Sequence, residues 1–179
     1  MNIANKLTTL RLFLIPVFIG AATYFTIENP IPGIIFLVAA ITDFFDGYLA
    51  RSRNLITTFG KFIDPLADKM LVAAALIIFV EQGIFPAWTV CIVIAREFLI
   101  TGFRIIAASE GITIAASKWG KSKTVSQFIA IVLVLFSTLL DFIPWGLING
   151  IYYISVLLTV ISGFDYIAKN VEVLDLENI

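Results

Sequence analysis

Apolar side chains fill long stretches of this chain, and polar residues interrupt them at short breaks. Each stretch is long enough for a helix of roughly 20 residues, the length that crosses a bilayer. We expect helices at about 8–27, 33–51, 60–81, 86–108, 120–141 and 146–168. The breaks carry turn-forming residues, among them Pro30, Gly83 and Pro144. The pattern predicts an all-α integral membrane protein with six transmembrane helices.

The composition supports a chain that lies almost wholly in the membrane. Of its 179 residues 60% are hydrophobic and 14% charged, and the mean hydropathy is +1.00. Soluble domains are about 45–50% apolar and 25% charged. We therefore expect a single membrane domain over residues 1–179. Lys6 and Arg11 precede the first apolar stretch, which lacks a clear cleavage site and is expected to be retained as a span.

The basic residues indicate the orientation of the helices. All 12 Lys and Arg lie near the ends that six alternating spans would place on one side of the membrane. In the breaks on the opposite side the only charged residues are acidic, namely Glu28, Glu81 and Asp141. Basic residues near the ends of spans favour the cytoplasmic side. Both termini are therefore expected to be cytoplasmic.

Four aspartates, Asp43, Asp46, Asp64 and Asp68, stand in otherwise apolar surroundings. The first two are three residues apart and the last two are four apart, so each pair shares a helix face. Carboxylates buried together repel one another, and a bound divalent cation relieves that repulsion. The chain has no histidine, and an all-oxygen ligand set favours Mg²⁺, Mn²⁺ or Ca²⁺. The cluster predicts a metal site.

Small residues and an arginine accompany the aspartates. Gly47, Ala50 and Gly60 leave room for a large ligand, and Arg51 suits a phosphate. Metal ligands beside a phosphate-binding arginine favour a pyrophosphate substrate and a displacement at phosphorus. Two other interpretations are a set of interhelical salt bridges and a divalent-cation transporter, since intramembrane acids also mark ion pathways.

Together, the four aspartates, the three small residues and the arginine form a pattern with eight fixed positions. It reads D-x-x-D-G-x-x-A-R-x8-G-x3-D-x3-D and runs from Asp43 to Asp68. This pattern resembles the signature of the CDP-alcohol phosphatidyltransferase family at every fixed position. The resemblance implies a six-helix membrane enzyme, usually a homodimer, that moves a phosphatidyl group from CDP-diacylglycerol to an alcohol and releases CMP. It implies multi-pass insertion in a bacterial-type inner membrane with the active site facing the cytoplasm, and no nucleic-acid partner.

The resemblance also implies roles for the signature residues. Asp43, Asp46, Asp64 and Asp68 would bind Mg²⁺ or Mn²⁺, as a pair of ions, and Asp68 would also be the general base. The residues implied in binding the CDP-lipid are Asn5, Thr8, Gly47, Ala50, Arg51 and Gly60. For Asn5, Thr8 and Arg11 a structural role at the start of the first helix is also open, and threonine in particular is a common N-cap.

The acceptor is suggested by residues outside the signature. Stretches such as Phe62–Lys69, Ala95–Phe98 and Gly120–Thr124 resemble the bacterial branch of the family that uses sn-glycerol 3-phosphate. Basic residues near the ends of the fourth and fifth spans suit such an anionic acceptor. The positions that match an acceptor-phosphate site are Arg96, Arg104, Lys118 and Lys121.

Other readings of these basic residues remain open. Lys118, Lys121 and Lys123 also satisfy the rule for cytoplasmic loops. Arg96 has Glu97 beside it and could form an intramembrane ion pair instead. Inositol phosphate, serine and phosphatidylglycerol are alternative acceptors within the same family.

Overall fold

The structure is a computed structural model that describes the backbone at residues 3–25, 29–52, 58–109, 114 and 117–170. It describes the side chains at residues 9–25, 29–42, 66–67, 69–108, 114 and 117–170. The helices are α1 (Ile3–Tyr24), α2 (Ile31–Ser52), α3 (Thr58–Glu81), α4 (Ala87–Ser109), α5 (Lys118–Leu135) and α6 (Trp145–Lys169). Over these ranges the prediction of an all-helical chain with six helices is confirmed.

Helices α2, α3, α4 and α6 begin and end within two residues of the ranges expected from the sequence. In contrast, α1 begins at Ile3, because no helix-breaking residue separates Ile3 from Thr8. Thr8 therefore lies inside the helix, and its interpretation as an N-cap is wrong.

Helix α5 ends at Leu135 rather than near residue 141. Beyond it, the amides of Ser137, Leu139 and Ile143 donate to carbonyls three residues earlier. The apolar sequence continues through this segment, so hydropathy alone does not mark the end of the helix. The ring of Phe136 lies where a Cβ on Gly33 would be only 2.8 Å from it, and this close packing accompanies the change to turns.

The C-terminus of α3 is closed by a glycine. Gly83 has φ of +72°, its amide donates to the carbonyl of Val80, and the Ile84 amide donates to the carbonyl of Phe79. These bonds form a Schellman motif, which satisfies carbonyls that the helix end would otherwise leave unpaired. The Gln82-Gly83 break in the sequence is therefore a true helix stop.

By their internal contacts the residues fall into two compact units. Unit 1 comprises Met1–Ile84 and Ile131–Ile143. In it α1 packs against both α2 and α3, and α2 contacts α3. Phe18 of α1 and Phe36 of α2 are completely buried with their ring centroids 5.7 Å apart. Unit 1 is thus a three-helix arrangement around an aromatic and aliphatic core.

Unit 2 comprises Phe85–Ala130 and Pro144–Ile179. Helices α4 and α6 pack together in it and run parallel. Near their N-terminal ends the Thr89 and Tyr152 hydroxyls are hydrogen-bonded at 2.6 Å, and near their C-terminal ends Phe103 and Tyr166 meet edge to face. Between these contacts, Arg96 of α4 reaches α6 and the first turns of α5.

Helix α6 buries a row of hydroxyl groups, whereas many of its large apolar side chains are exposed. Ser155, Thr159 and Ser162 are completely buried, and each hydroxyl donates to a carbonyl of its own helix. Large apolar side chains such as Leu157 and Phe164 are exposed. This arrangement suits a lipid surrounding, where buried hydroxyls pack helices closely and apolar groups face the tails.

Among the described residues α6 is the one helix long and apolar enough to cross a membrane by length and composition. The mean hydropathy of its best window is 1.7, and 33% of that window is buried, whereas the core helix of a soluble protein is mostly buried. Two shorter apolar helical stretches are Thr9–Tyr24 and Ile31–Thr42.

We predict that Gly83→Ala destabilises the protein by about 1 kcal/mol, because a Cβ is disfavoured at positive φ. The matched control is Gly20→Ala, in α1, where an added Cβ meets nothing within 4 Å. That variant should gain roughly 0.5 kcal/mol from improved helix propensity. Thermal unfolding in detergent measures both changes, and equal stability of the two variants would contradict the assignment of the α3 stop to Gly83.

Candidate functional site

The aspartate signature lies where α2 ends and α3 begins. Asp43 and Asp46 are in the second half of α2, and Asp64 and Asp68 are in the first half of α3. The connection between the two helices spans only residues 53–57, and the helices contact each other. The four carboxylates lie outside the described side chains, and no group of three or more metal-ligating side chains occurs within the described ones.

The residues implied in binding the CDP-lipid are on the same three helices. Asn5 and Thr8 belong to α1, Gly47, Ala50 and Arg51 to α2, and Gly60 to α3. Their side-chain positions also lie outside the described set. One described neighbour is Arg11 of α1, which is completely buried. Burial of a guanidinium requires compensation by hydrogen bonds or an opposite charge. Unit 1 therefore contains a buried cation one turn of α1 after Thr8.

In unit 2 one carboxylate oxygen holds two cations. Glu97 Oε1 lies 2.9 Å from Arg96 Nη1 and 2.8 Å from Lys123 Nζ. The Lys123 side chain is only 4% exposed. A buried ammonium is costly unless it is paired, and Glu97 provides that pair from the neighbouring helix α4. The structure therefore shows the ion-pair alternative for Arg96 and extends it to a second cation.

Arg96 also contacts α6, which fixes the orientation of its guanidinium group. Its Nη2 atom donates to the Ser162 hydroxyl at 3.0 Å. A Cβ built on Gly163 would lie 3.4 Å from Arg96 Cγ, and one on Gly120 would lie 3.6 Å from Arg96 Nη2. The two glycines thus leave space for the arginine between α5 and α6. We refer to Arg96, Glu97, Lys123 and Ser162 as the Glu97 cluster.

The first turn of α5 presents two of the predicted acceptor residues. The Ser117 hydroxyl accepts from the Gly120 amide at 3.0 Å, which is the geometry of an N-cap. Lys118 and Lys121 follow the cap and are exposed. Arg104 of α4 is exposed as well. Within the described part of the chain no acidic side chain pairs with Arg104, Lys118 or Lys121.

Sequence reasoning found four of these cations, Arg96, Arg104, Lys118 and Lys121, but missed the importance of Lys123. The rule for cytoplasmic loops explains a lysine near a helix end equally well, so nothing in its position marks it as buried. One available signal was Glu97, an acid at membrane depth between Arg96 and a downstream lysine. The structure also makes Ser162 of α6 a hydrogen-bond partner of Arg96.

The exposed cations of unit 2 favour an anionic ligand. Arg104, Lys118 and Lys121 are three exposed cations on this unit, and no acidic side chain of the described residues pairs with them. Guanidinium and ammonium groups bind phosphate through charge-assisted hydrogen bonds. This part of unit 2 is therefore suited to a phosphate-bearing molecule.

We predict that Glu97→Gln lowers the free energy of unfolding by roughly 3 kcal/mol, because it removes the carboxylate charge that lies within 2.9 Å of Arg96 and 2.8 Å of the buried Lys123. Adding Lys123→Met to that variant should recover part of the loss, since it removes one of the two cations that Glu97 neutralises. Thermal unfolding in detergent measures both changes.

The matched control is the pair of Asp165 and Lys169 in α6, whose Nζ and Oδ1 atoms are 2.6 Å apart with the lysine 66% exposed. Lys169→Gln should change stability by less than about 0.5 kcal/mol, because solvent screens such a pair. If Glu97→Gln were as mild as Lys169→Gln, the Glu97 cluster would not be what stabilises unit 2.

Comparison with known protein families gives one match that covers most of the chain. The model of the family described as CDP-alcohol phosphatidyltransferase matches residues 1–161. Proteins of this family are membrane-associated and generally depend on a divalent metal. The match includes the whole aspartate signature and also Arg96, Arg104, Lys118 and Lys121.

Curated relatives align over nearly the whole chain. A CDP-diacylglycerol–glycerol-3-phosphate 3-phosphatidyltransferase of Bacillus subtilis is 40% identical, covering 99% of both chains. A protein of the same name from Rickettsia bellii is 38% identical over 92% of this chain and 93% of its own. A probable phosphatidylglycerophosphate synthase of Mycobacterium tuberculosis is 38% identical over 94% of this chain and 81% of its own. With its signature complete, the chain belongs to the CDP-alcohol phosphatidyltransferase family.

Proposed function

We propose that the protein transfers the phosphatidyl group of CDP-diacylglycerol to sn-glycerol 3-phosphate, giving phosphatidylglycerophosphate and CMP. The observation that carries this proposal is the near full-length similarity to relatives named for that reaction. The exposed cations of unit 2 add independent support, because a phosphorylated acceptor needs them and an acceptor without a phosphate, such as serine, does not. The reaction belongs to the synthesis of phosphatidylglycerol.

Metal binding is assigned to Asp43, Asp46, Asp64 and Asp68. Their oxygen donors suit Mg²⁺ or Mn²⁺, and the two helices that carry them contact each other. A pair of such ions would neutralise the pyrophosphate and stabilise the oxygens that attack and leave. Asn5, Thr8, Gly47, Ala50, Arg51 and Gly60 are assigned to the CDP-lipid.

Acceptor binding is assigned to Arg104, Lys118 and Lys121, with Arg96 in a different role. The first three are exposed and carry charges that nothing acidic in the described chain neutralises. The Arg96 guanidinium already donates to Glu97 and Ser162. Arg96 therefore contributes positive potential from a fixed position on α4. Any hydrogen bond from Arg96 to the acceptor comes from the N–H groups that Glu97 and Ser162 leave unused.

The chemistry is a single displacement at phosphorus. Asp68 removes the proton from the acceptor hydroxyl, and the freed oxygen attacks the phosphorus that bears diacylglycerol. The new P–O bond forms as the bond to the CMP phosphate breaks, so CMP leaves with both electrons. None of the eight fixed signature positions is Ser, Cys or His, so a covalent intermediate on such a nucleophile is not needed.

We also propose that all six helices span the membrane, with both termini and the active site at the cytoplasmic face of a bacterial-type inner membrane. The one-sided distribution of basic residues supports this topology. So does the parallel packing of α4 and α6, because alternate spans of a multi-pass protein run in the same direction. A homodimer is proposed from the family resemblance.

The test of the proposed function is CMP release by the purified protein in detergent, with CDP-diacylglycerol and Mg²⁺ or Mn²⁺. Release should require sn-glycerol 3-phosphate and should fail with serine, inositol phosphate or phosphatidylglycerol. Release with one of those acceptors instead would refute the proposed substrate. Absence of release with every acceptor, together with metal flux in proteoliposomes, would favour a transporter.

We predict that Asp68→Asn lowers kcat at least 100-fold while metal binding is retained. Loss of a general base costs about 100-fold to 10,000-fold in rate, whereas the other three carboxylates still provide oxygen ligands. Manganese binding measured by electron paramagnetic resonance, beside CMP release, separates the two effects. Normal turnover in this variant would refute the assignment of Asp68 as the base.

We predict that Arg104→Gln raises the KM for sn-glycerol 3-phosphate about tenfold or more, because it removes a charge-assisted hydrogen bond. The KM for CDP-diacylglycerol should stay within about twofold. Lys169→Gln, which removes an exposed cation of α6 already paired with Asp165, is the control and should leave both constants unchanged. An equal effect of the two substitutions would show only a general loss of positive potential.

A further inference from the structure

The hydroxyl group of Tyr166 is buried without a hydrogen-bond partner. The residue is only 4% exposed, and its oxygen makes no hydrogen bond within the described part of the protein. Buried hydroxyls are nearly always paired, and leaving one unpaired lowers stability. An unpaired hydroxyl in a packed region therefore calls for an explanation, such as a catalytic role or pairing with an ion or a water.

The ring of Tyr166 is held rigidly by its neighbours. Phe103 meets it edge to face with a centroid distance of 5.7 Å and an interplanar angle of 82°. Ile100 and Ile114 complete the apolar cluster around it. The hydroxyl is therefore fixed in place by apolar packing on the ring and not by a bond of its own.

Two positive charges of unit 2 act on that hydroxyl. The guanidinium groups of Arg104 and Arg96 both act electrostatically on the Tyr166 oxygen, and Arg104 directly follows Phe103, whose ring meets that of Tyr166. Arg104 is exposed, and within the described residues it has no acidic partner, whereas Arg96 is fixed by Glu97 and Ser162. An unpaired O–H donor within the electrostatic range of two guanidinium groups suits the oxygens of a phosphate monoester.

We propose that the Tyr166 hydroxyl donates a hydrogen bond to the phosphate of the acceptor, beside Arg104. This inference rests on the proposed function and adds to it a neutral donor that helps select a phosphorylated acceptor. Its energetic basis is that the hydroxyl is unsatisfied before the acceptor binds. The acceptor then supplies the missing partner, so the bond contributes to affinity without displacing an existing one.

A matched pair of tyrosine variants tests the proposal. Tyr152 and Tyr166 are both buried on α6, but the Tyr152 hydroxyl is paired with Thr89 at 2.6 Å. Tyr166→Phe and Tyr152→Phe each remove one hydroxyl oxygen and keep the ring. The readouts are the melting temperature without ligand, its increase on adding sn-glycerol 3-phosphate, and kcat and KM for both substrates.

For Tyr166→Phe we expect an unchanged or higher melting temperature without ligand, since the hydroxyl makes no bond to lose. Its KM for sn-glycerol 3-phosphate should rise about tenfold, with kcat and the KM for CDP-diacylglycerol within about twofold of the original. The stabilisation by sn-glycerol 3-phosphate should shrink in parallel. Tyr152→Phe should lower the melting temperature by about 2–4 °C and leave both KM values unchanged.

Three results would overturn the proposal. An unchanged KM for sn-glycerol 3-phosphate in Tyr166→Phe would show that the hydroxyl does not bind the acceptor. A raised KM for CDP-diacylglycerol instead would assign the hydroxyl to the phosphates of the lipid. A lower melting temperature with equal losses for both substrates would give it a structural role only.

The original protein serves as the reference for the proposed function. If its CMP release does not require sn-glycerol 3-phosphate, the proposed function fails and this inference fails with it. If release does require that acceptor and Tyr166→Phe behaves like the original protein, only the assignment of Tyr166 is wrong.

Discussion

Unit 2 depends on one carboxylate that neutralises charge where water is scarce. Glu97 accepts from Arg96 and from Lys123 through the same oxygen, and the lysine is almost completely buried. Electrostatic attraction is strong at such sites, and so is the penalty for an unpaired charge. Because Arg96 also bonds to Ser162, this one anion joins α4 to α5 and, through the arginine, to α6. The donors of Arg96 are thereby held in one orientation, which leaves the neighbouring exposed cations to meet a ligand.

The buried hydroxyl groups of α6 also support the packing of α4 against α6. Its buried hydroxyls are satisfied by carbonyls of their own helix, so they add little bulk or unpaired polarity where α4 packs. The Thr89–Tyr152 bond joins the two helices at their N-terminal ends, while apolar packing alone holds Tyr166 at the other end. The contrast is physical: one tyrosine hydroxyl is used for structure, and the other is left available to a ligand. A binding site that leaves a donor unsatisfied gives up some stability and gains affinity when the ligand arrives.

The sequence was most informative where a strict chemical requirement leaves little choice. The residues from Asp43 to Asp68 match the family pattern at every fixed position, so they indicated the family without any coordinates. Gly83 marked the end of α3 because a positive φ favours glycine. Helix type and number followed from apolar stretches that admit few alternatives in a bilayer.

Tertiary contacts decided what the sequence left open. The end of α5 lies inside a continuous apolar stretch, where the close contact of Phe136 with Gly33 is invisible to hydropathy. Lys123 and Arg104 are both basic residues near helix ends, yet one is buried on Glu97 and the other is exposed. Tyr166 resembles any interfacial aromatic residue in the sequence, and its unpaired hydroxyl emerges only from its neighbours in the fold. For the aspartates, the family match and the contact between α2 and α3 support the assignment of metal ligands as a proposal.

The most direct measurement is the fate of labelled sn-glycerol 3-phosphate. The purified protein would be placed in nanodiscs with Mg²⁺ and CDP-diacylglycerol, and the label would be counted in the lipid fraction while CMP is measured in the water phase. The proposed transfer predicts one labelled glycerophosphate in lipid for each CMP released, with both products abolished by a metal chelator. Release of CMP without label in the lipid, or labelling that does not depend on CDP-diacylglycerol, would contradict it.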